Sequence, residues 1–383
     1  MSIQKNDDTL FSEYLDSIYT RSHSVGTVHA YKIALNSFRQ FAQESYQLGI
    51  VDLIESIRSG KLDVYSILGK FVTWLDKLGK KSSTINLCMA SSKGFLWHVD
   101  IKIYSEEFKK RVRLPKKRKY REEPLTKEIL VRLLRNLPVK LQTAALFAIA
   151  SGVRIGELVQ IRISDIDFDS RPTRVKLRAE ITKTREERET FLTEEATTAL
   201  KDYLCRFFSW KEGENNSAIS NMIIFGTIRS MQENYQSKSG KTGKEFRCTP
   251  VHIAECTILT TLARHIQKIP DLNRLNESGR RMIHFHAFRK YFRTIVGDTV
   301  GRDFAEALMG HHFYMDTYYL QTAERKRELY LKAEPYLTIS ENIKEEKNLA
   351  KMTEKQRQTE EDYMRFKAIF ERSYTEFVNS KQR

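Results

Sequence analysis

Three short stretches carry side chains that could act together on a phosphodiester. The first is Ser151-Gly152-Val153-Arg154-Ile155-Gly156-Glu157-Leu158. The second is His286-Ala287-Phe288-Arg289-Lys290-Tyr291-Phe292. The third is Leu308-Met309-Gly310-His311, followed by the pair Tyr318-Tyr319. A phosphodiester under attack passes through a pentacoordinate state whose equatorial oxygens gain charge. Arg154 and Arg289 offer forked, permanently protonated donors for that charge. His286 and His311 can add donors to the non-bridging oxygens or manage a tyrosine proton. Glu157, one helical turn beyond Arg154, is placed to hold that arginine. Tyrosine suits the nucleophile because a phosphotyrosine ester conserves the energy of the broken backbone bond.

Each feature alone has a plainer explanation. A lone His286 is a helix-capping or core histidine, and Arg154 behind a small-residue turn could simply close a helix start. Lys183 alone is nearly uninformative, since hairpin tips are commonly cationic. His284 lies two residues before His286 but has no arginine three residues later. His312, Tyr291 and Tyr314 read as packing or surface residues. The ordered combination carries the argument.

Two patterned regions must position these residues. Residues 8–105 read as an all-helical unit. Leu10, Phe11, Tyr14, Leu15 and Ile18 form one apolar face of its opening helix. A second helix is expected from Thr27, as N-cap, through Val28, Tyr31, Leu35, Phe38 and Phe41. A third is expected over 51–58, a fourth from Val64 to Leu78 with Gly79 as its stop, and a fifth from Ser83 to Trp97. Residues 109–121 then hold nine basic side chains around Pro115 with no apolar periodicity. They fall in a linker, 106–123, that suits a phosphate backbone.

The second region, 124–339, opens at Pro124-Leu125-Thr126, with Thr126 capping a helix through Ile129, Leu130, Leu133 and Leu134. A buried helix is expected over 140–150. Residues 173–192 alternate like strands: TRVKLRA, then EITKT, a charged turn, and RETFLT. A helix carrying Leu200, Tyr203, Leu204 and Phe207 follows. The polar stretch 211–247, interrupted by Met222–Phe225, reads as a long insertion or loop. Helices resume at about 251–268, 286–297 and 302–309. The charged tail, 340–383, carries Tyr363, Phe366, Phe370, Tyr374 and Phe377 at helical spacing.

Composition narrows the partner. The 383 residues include 65 Lys and Arg against 49 Asp and Glu, a formal +16 that suits a polyanion. Cys88, Cys205, Cys248 and Cys256 form no CxxC pair, which argues against a zinc module or a disulfide scaffold. No signal peptide or long apolar run is present, so the expected location is the cytoplasm, on the nucleoid, with no membrane role.

The three stretches resemble the tyrosine recombinase (integrase) family, with its Gly-x-Arg-x-x-Glu-Leu, His-x-x-Arg and Leu-x-Gly-His boxes leading to a tyrosine. The resemblance covers roughly residues 8–339, and the region Arg289–Thr294 and the stretch Tyr330–Ile339 look most like archaeal-type members. It implies a mainly α fold with a small β-sheet: a helical, SAM-like core-binding domain and a mixed catalytic domain forming a C-shaped clamp on double-stranded DNA. It implies Arg154, Lys183, His286, Arg289, His311 and Tyr319 as the catalytic set. Lys183, in the turn between two strands, would protonate the leaving 5′ oxygen. No cofactor, metal or ATP is called for, and four strand cuts imply a homotetramer on two DNA sites.

The nucleophile has two candidates. Many family members place it nine residues after the histidine of the Gly-His box, which here is Leu320. An archaeal-type spacing one residue shorter lands on Tyr319, whereas Tyr318 needs a further deletion. Competing functions are a DNA-binding regulator without cutting activity, against which the complete residue set argues, and a type IB topoisomerase, which shares the chemistry. A histidine-rich metal enzyme lacks a carboxylate cluster or HxxxH spacing.

Overall fold

A computed structural model describes residues 6–116, 123–211, 213, 217–226, 250–276, 279–311 and 321–339. The expectations for Tyr318, Tyr319, the tail and most of the 211–247 stretch fall outside them. The chain divides into two compact units between Tyr120 and Arg121.

The first unit comprises α1 (Asp7–Ser22), α2 (Val25–Tyr46), α3 (Ile50–Arg58), α4 (Val64–Lys77), α5 (Ser82–His98) and α6 (Ser105–Arg111). The periodic apolar positions close on one core, in which the Phe38 and Phe41 rings lie 5.1 and 5.0 Å from that of Phe71. Helix α2 starts earlier than expected. Its N-cap is Ser24, whose hydroxyl accepts from the Thr27 amide, so Thr27 is a first-turn residue and not the cap. The expected linker also begins too early. Helix α6 occupies its first residues, and Phe108 and Val112, four apart, are buried in the first core. A single turn of two apolar residues among basic ones leaves no visible period. Arg111, exposed at the end of that helix, makes a fork to Asp63 at 3.1 and 2.6 Å.

The second unit is organised around α8 (Val139–Ser151), apolar on all sides and buried along most of its length. Helices α7 (Lys127–Arg135), α10 (Glu194–Phe208) and α12 (Pro250–Gln267) belong to the same core, as do α13 (Phe285–Thr299), α14 (Arg302–Met309) and α15 (Ala323–Leu337). Helix α9 is the short turn Ile155–Leu158, and α11 is Ser217–Ser220. Thr126 caps α7 as expected. An antiparallel sheet lies beside them in the order β1 (Ile166–Asp167), β2 (Thr173–Leu177), β3 (Arg188–Leu192), with Leu177 opposite Arg188. The end of the expected strand TRVKLRA and the start of EITKT instead form a 3-10 turn, Ala179–Ile181, because Ile181 turns inward and the Thr182 hydroxyl bridges to the carbonyls of Ala179 and Glu186. The apolar run inside the polar stretch is no loop either. Ile224 and Phe225 are buried, and the Ile223 backbone pairs with Arg162. Tyr330 of α15 is fully buried, and its hydroxyl donates to the Ala150 carbonyl at 2.7 Å. That bond ties the last described helix to α8. No described helix is long and apolar enough to cross a membrane.

Candidate active site

The site begins where α8 ends. Gly152 caps it in the left-handed region, φ +65°, and a Cβ there would stand 2.4 Å from the Phe292 ring. Only glycine meets both demands, and the reversal it makes delivers Arg154 to the N-cap of α9. Glu157 then folds back: Oε2 accepts from the Arg154 amide at 2.8 Å and Oε1 from Nη1 at 2.9 Å. The backbone and guanidinium of Arg154 are thus fixed by one carboxylate. Gly152→Ala is expected to destabilise the protein by roughly 2–5 kcal/mol, from left-handed strain plus overpacking. A urea midpoint within error of the wild type would contradict this placement.

Glu157 is buried, which by itself pushes a carboxyl up. Hydrogen bonds and charge from Arg188 and Arg154 reverse the effect and hold it below the ordinary carboxylate value. Arg188 is the first of three residues that sequence reasoning missed. It opens β3, five residues after Lys183, and its side chain is 9% exposed. Nη2 donates to Glu157 Oε2 at 2.7 Å and Nε to the Leu308 carbonyl at 3.1 Å. Arg188 therefore joins the strand hairpin, the Arg154 turn and the Gly-His corner. Gly310, φ +64°, is required at that corner, since a Cβ would lie 2.8 Å from Arg188 Cδ. Arg188→Met is expected to cost about 3 kcal/mol, because the buried carboxylate loses its main partner. Paired with Glu157→Gln it should cost clearly less than the two changes summed. Additive losses in that cycle would show that the two residues do not act as a unit.

Arg289 lies one turn into α13, 2% exposed, and reaches across the core. Its Nη1 donates to the Gly152 carbonyl and its Nη2 to the Met309 carbonyl at 2.7 Å. Arg154 Nη1 lies 3.5 Å from the same Met309 oxygen. Two guanidiniums from distant stretches thus converge on one carbonyl. Burial first, then the Arg154 charge, lower Arg289 to about 9, which leaves it protonated at neutral pH. His311 Nε2 is 2.9 Å from Arg289 Nη2, and its Nδ1 faces Glu306 Oε2 at 2.5 Å. Glu306 also accepts from Arg293 Nε at 2.6 Å. Glu306 and Arg293, like Arg188, were not singled out in the sequence, because their partners are set by tertiary packing.

The remaining candidates are placed as follows. His286 stands on α13 one turn before Arg289, exposed, its ring 6.4 Å from that of His284. Burial of part of the ring, then the charges of Lys290 and Arg289, hold it below the ordinary imidazole value. His284 is the N-cap of α13 and turns Nδ1 towards the Met282 carbonyl. Lys183 is exposed in the connection between β2 and β3, as expected. Tyr291 is buried, while His312 and Tyr314 lie outside the described residues.

Hydrogen bonds join Arg154, Arg188, Arg289 and Arg293 to Glu157 and Glu306 at one corner of the unit. Four guanidiniums and two carboxylates leave two positive charges. Such a surplus suits one phosphodiester with charge still developing on it. No cluster of three or more His, Cys, Asp or Glu that could hold a metal ion occurs among the described residues.

The sequence profile described as the phage integrase family matches residues 123–324. No curated protein matches in sequence. Among solved structures, the chain is similar to a lambda integrase dimer bound to a COC′ core site, with 14% identity and a TM-score of 0.54 over 82% of this chain and 76% of that one. It is similar to a lambda integrase tetramer bound to a Holliday junction, with 15% identity and a TM-score of 0.52 over 84% and 81%. It is also similar to the Tn1549 transposon integrase in complex with transposon right end DNA, with 14% identity and a TM-score of 0.52 over 84% and 98%. At these identities the likeness speaks to the fold.

Proposed function

Because the chain belongs to the phage integrase family of site-specific recombinases, we propose that it cuts and rejoins double-stranded DNA through a covalent 3′-phosphotyrosine, without metal or ATP. The observation that supports this most is the meeting of Arg154 and Arg289 at the Met309 carbonyl with His311 alongside. In the reaction the Tyr319 hydroxyl gives its proton to a histidine base as its oxygen bonds to phosphorus, and the bond from phosphorus to the 5′ oxygen breaks. Lys183 gives the departing oxygen its proton. Arg154 and Arg289 take up charge on the non-bridging oxygens, helped by His286. A 5′ hydroxyl from a second duplex then reverses the step onto a new partner, and the ester's retained energy drives it.

Four such cuts call for four protomers on two DNA sites, an assembly consistent with the lambda integrase tetramer to which the chain is similar. We assign the N-terminal helical unit to DNA binding, with the basic residues of 109–121 on the phosphate backbone and the affinity falling steeply with salt. The stretches Arg289–Thr294 and Tyr330–Ile339 support an archaeal-type arrangement, whose shorter interval after His311 then selects Tyr319. The test is incubation with circular DNA of the protein's own replicon and sequencing of the products. Recombined junctions at one defined site are expected. Relaxed circles without new junctions would favour the topoisomerase reading, and intact DNA with tight binding the regulator.

A further inference from the structure

We propose that Glu306 is a positioning residue that holds His311 with its proton on Nδ1, so that Nε2 enters the reaction as a proton acceptor. The inference rests on the recombinase reading for its catalytic meaning, but the tautomer follows from geometry alone. A guanidinium has donors and no acceptor. Arg289 Nη2 lies 2.9 Å from His311 Nε2, so that nitrogen must present its lone pair. The single proton of a neutral imidazole is then on Nδ1, which faces Glu306 Oε2.

The carboxylate is well placed for this. Burial alone would push Glu306 up, but the His311 hydrogen bond and Arg293 hold it below the ordinary value, hence ionised. Arg293 follows Arg289 by one turn of α13, so two like charges share a helix face. Glu306 and a neutral His311 fit between them as a chain of alternating character: Arg293 donates, Glu306 accepts, His311 donates at one nitrogen and accepts at the other, and Arg289 donates. The charged groups acting on His311 are Glu306 from α14, Arg289 from α13 and Arg154 from the turn before α9, with Arg293 of α13 held on the far oxygen of Glu306. Burial first, and the two arginines Arg289 and Arg154, keep the ring below the ordinary imidazole value, and Glu306 is the one group raising it. A cationic His311 is therefore disfavoured in the free protein.

When a phosphodiester draws Arg289 Nη2 to its own oxygens, Nε2 is released. As a hydroxyl oxygen bonds to phosphorus, its proton passes to Nε2. The bond from phosphorus to the 5′ oxygen breaks, and that oxygen takes a proton from the lysine ammonium. The new imidazolium lies against Glu306, which offsets its charge.

The test uses the full chain labelled with ¹⁵N only in histidine, free of DNA at neutral pH, with the His311 signals assigned by loss in His311→Gln. The expected spectrum shows His311 protonated at Nδ1 and bare at Nε2. A proton on Nε2, or on both nitrogens, would overturn the proposal whether or not the protein recombines DNA. For the catalytic part, Glu306→Gln keeps the shape and removes the charge that raises His311. The acid limb of the cleavage rate should then move to lower pH by about one unit or more, with DNA binding unchanged. An unmoved limb in a variant that melts like the wild type would overturn it. A protein that forms no covalent adduct under any condition contradicts the recombinase reading while leaving the tautomer assignment to stand or fall on its own spectrum.

Discussion

Arg289→Lys is expected to slow DNA cleavage by about 10²–10³-fold, the loss typical when one preorganised donor to a developing oxyanion is removed, while changing affinity for an intact duplex little. Arg289 is engaged on three sides, by the Gly152 carbonyl, the Met309 carbonyl and His311. Lysine keeps the charge but is a point donor without a planar fork, so it can satisfy one of these while leaving another bare. The backbone carbonyls belong to the two turns that carry Arg154 and His311, so a misplaced cation also loosens both turns. Arg154→Lys, at a partly exposed position held by Glu157, should fall in the same range. The double variant should lose much less than the product of the two, since residues acting on one transition state are not additive. Rates should be measured on a nicked substrate at saturating protein, with duplex affinity measured in parallel. Cleavage within about threefold of wild type for Arg289→Lys would mean that its guanidinium is not a transition-state donor.

The parts of the site legible in the sequence were those whose demands are local. Gly152, Arg154 and Glu157 lie within six positions, and the turn, cap and carboxylate between them follow from backbone geometry and charge spacing. The same holds for His286 with Arg289 and for Gly310 with His311. Arg188 and Glu306 had no such signal. Arg188 looks like an ordinary strand arginine until β3 brings it against Glu157, 31 positions earlier. Glu306 looks like a surface carboxylate of an amphipathic helix until Arg293 and His311 close on it. In the fold, long apolar periods placed most helices to within a few residues. Errors arose where one or two side chains decided the outcome: Ser24 rather than Thr27 as a cap, Phe108 and Val112 in a basic run, and Ile181 turning inward within an expected strand. The buried side chains depend on core partners elsewhere in the chain, whereas the Ser24 cap turns on a choice between two neighbouring hydroxyl residues.

Tyr319→Phe is expected to abolish covalent attachment to DNA altogether, because phenylalanine has no oxygen to bond to phosphorus and no neighbour restores one. Tyr318 and Tyr319 are adjacent, and on a helix adjacent side chains point about 100° apart, so only one can face the phosphate. Tyr318→Phe should accordingly leave the adduct intact, and both variants should bind DNA like the wild type. The central claim is that this chain stores the energy of a DNA backbone bond on a tyrosine. It is tested most directly by a suicide duplex nicked beside the cleavage point, so that the freed 5′ end diffuses away and the protein stays attached. Peptide mapping of the trapped complex should place the DNA on Tyr319 through a 3′-phosphate, with formation unaffected by chelator. An adduct on any residue other than these two tyrosines, or cleavage that leaves no protein on the DNA, would contradict the account.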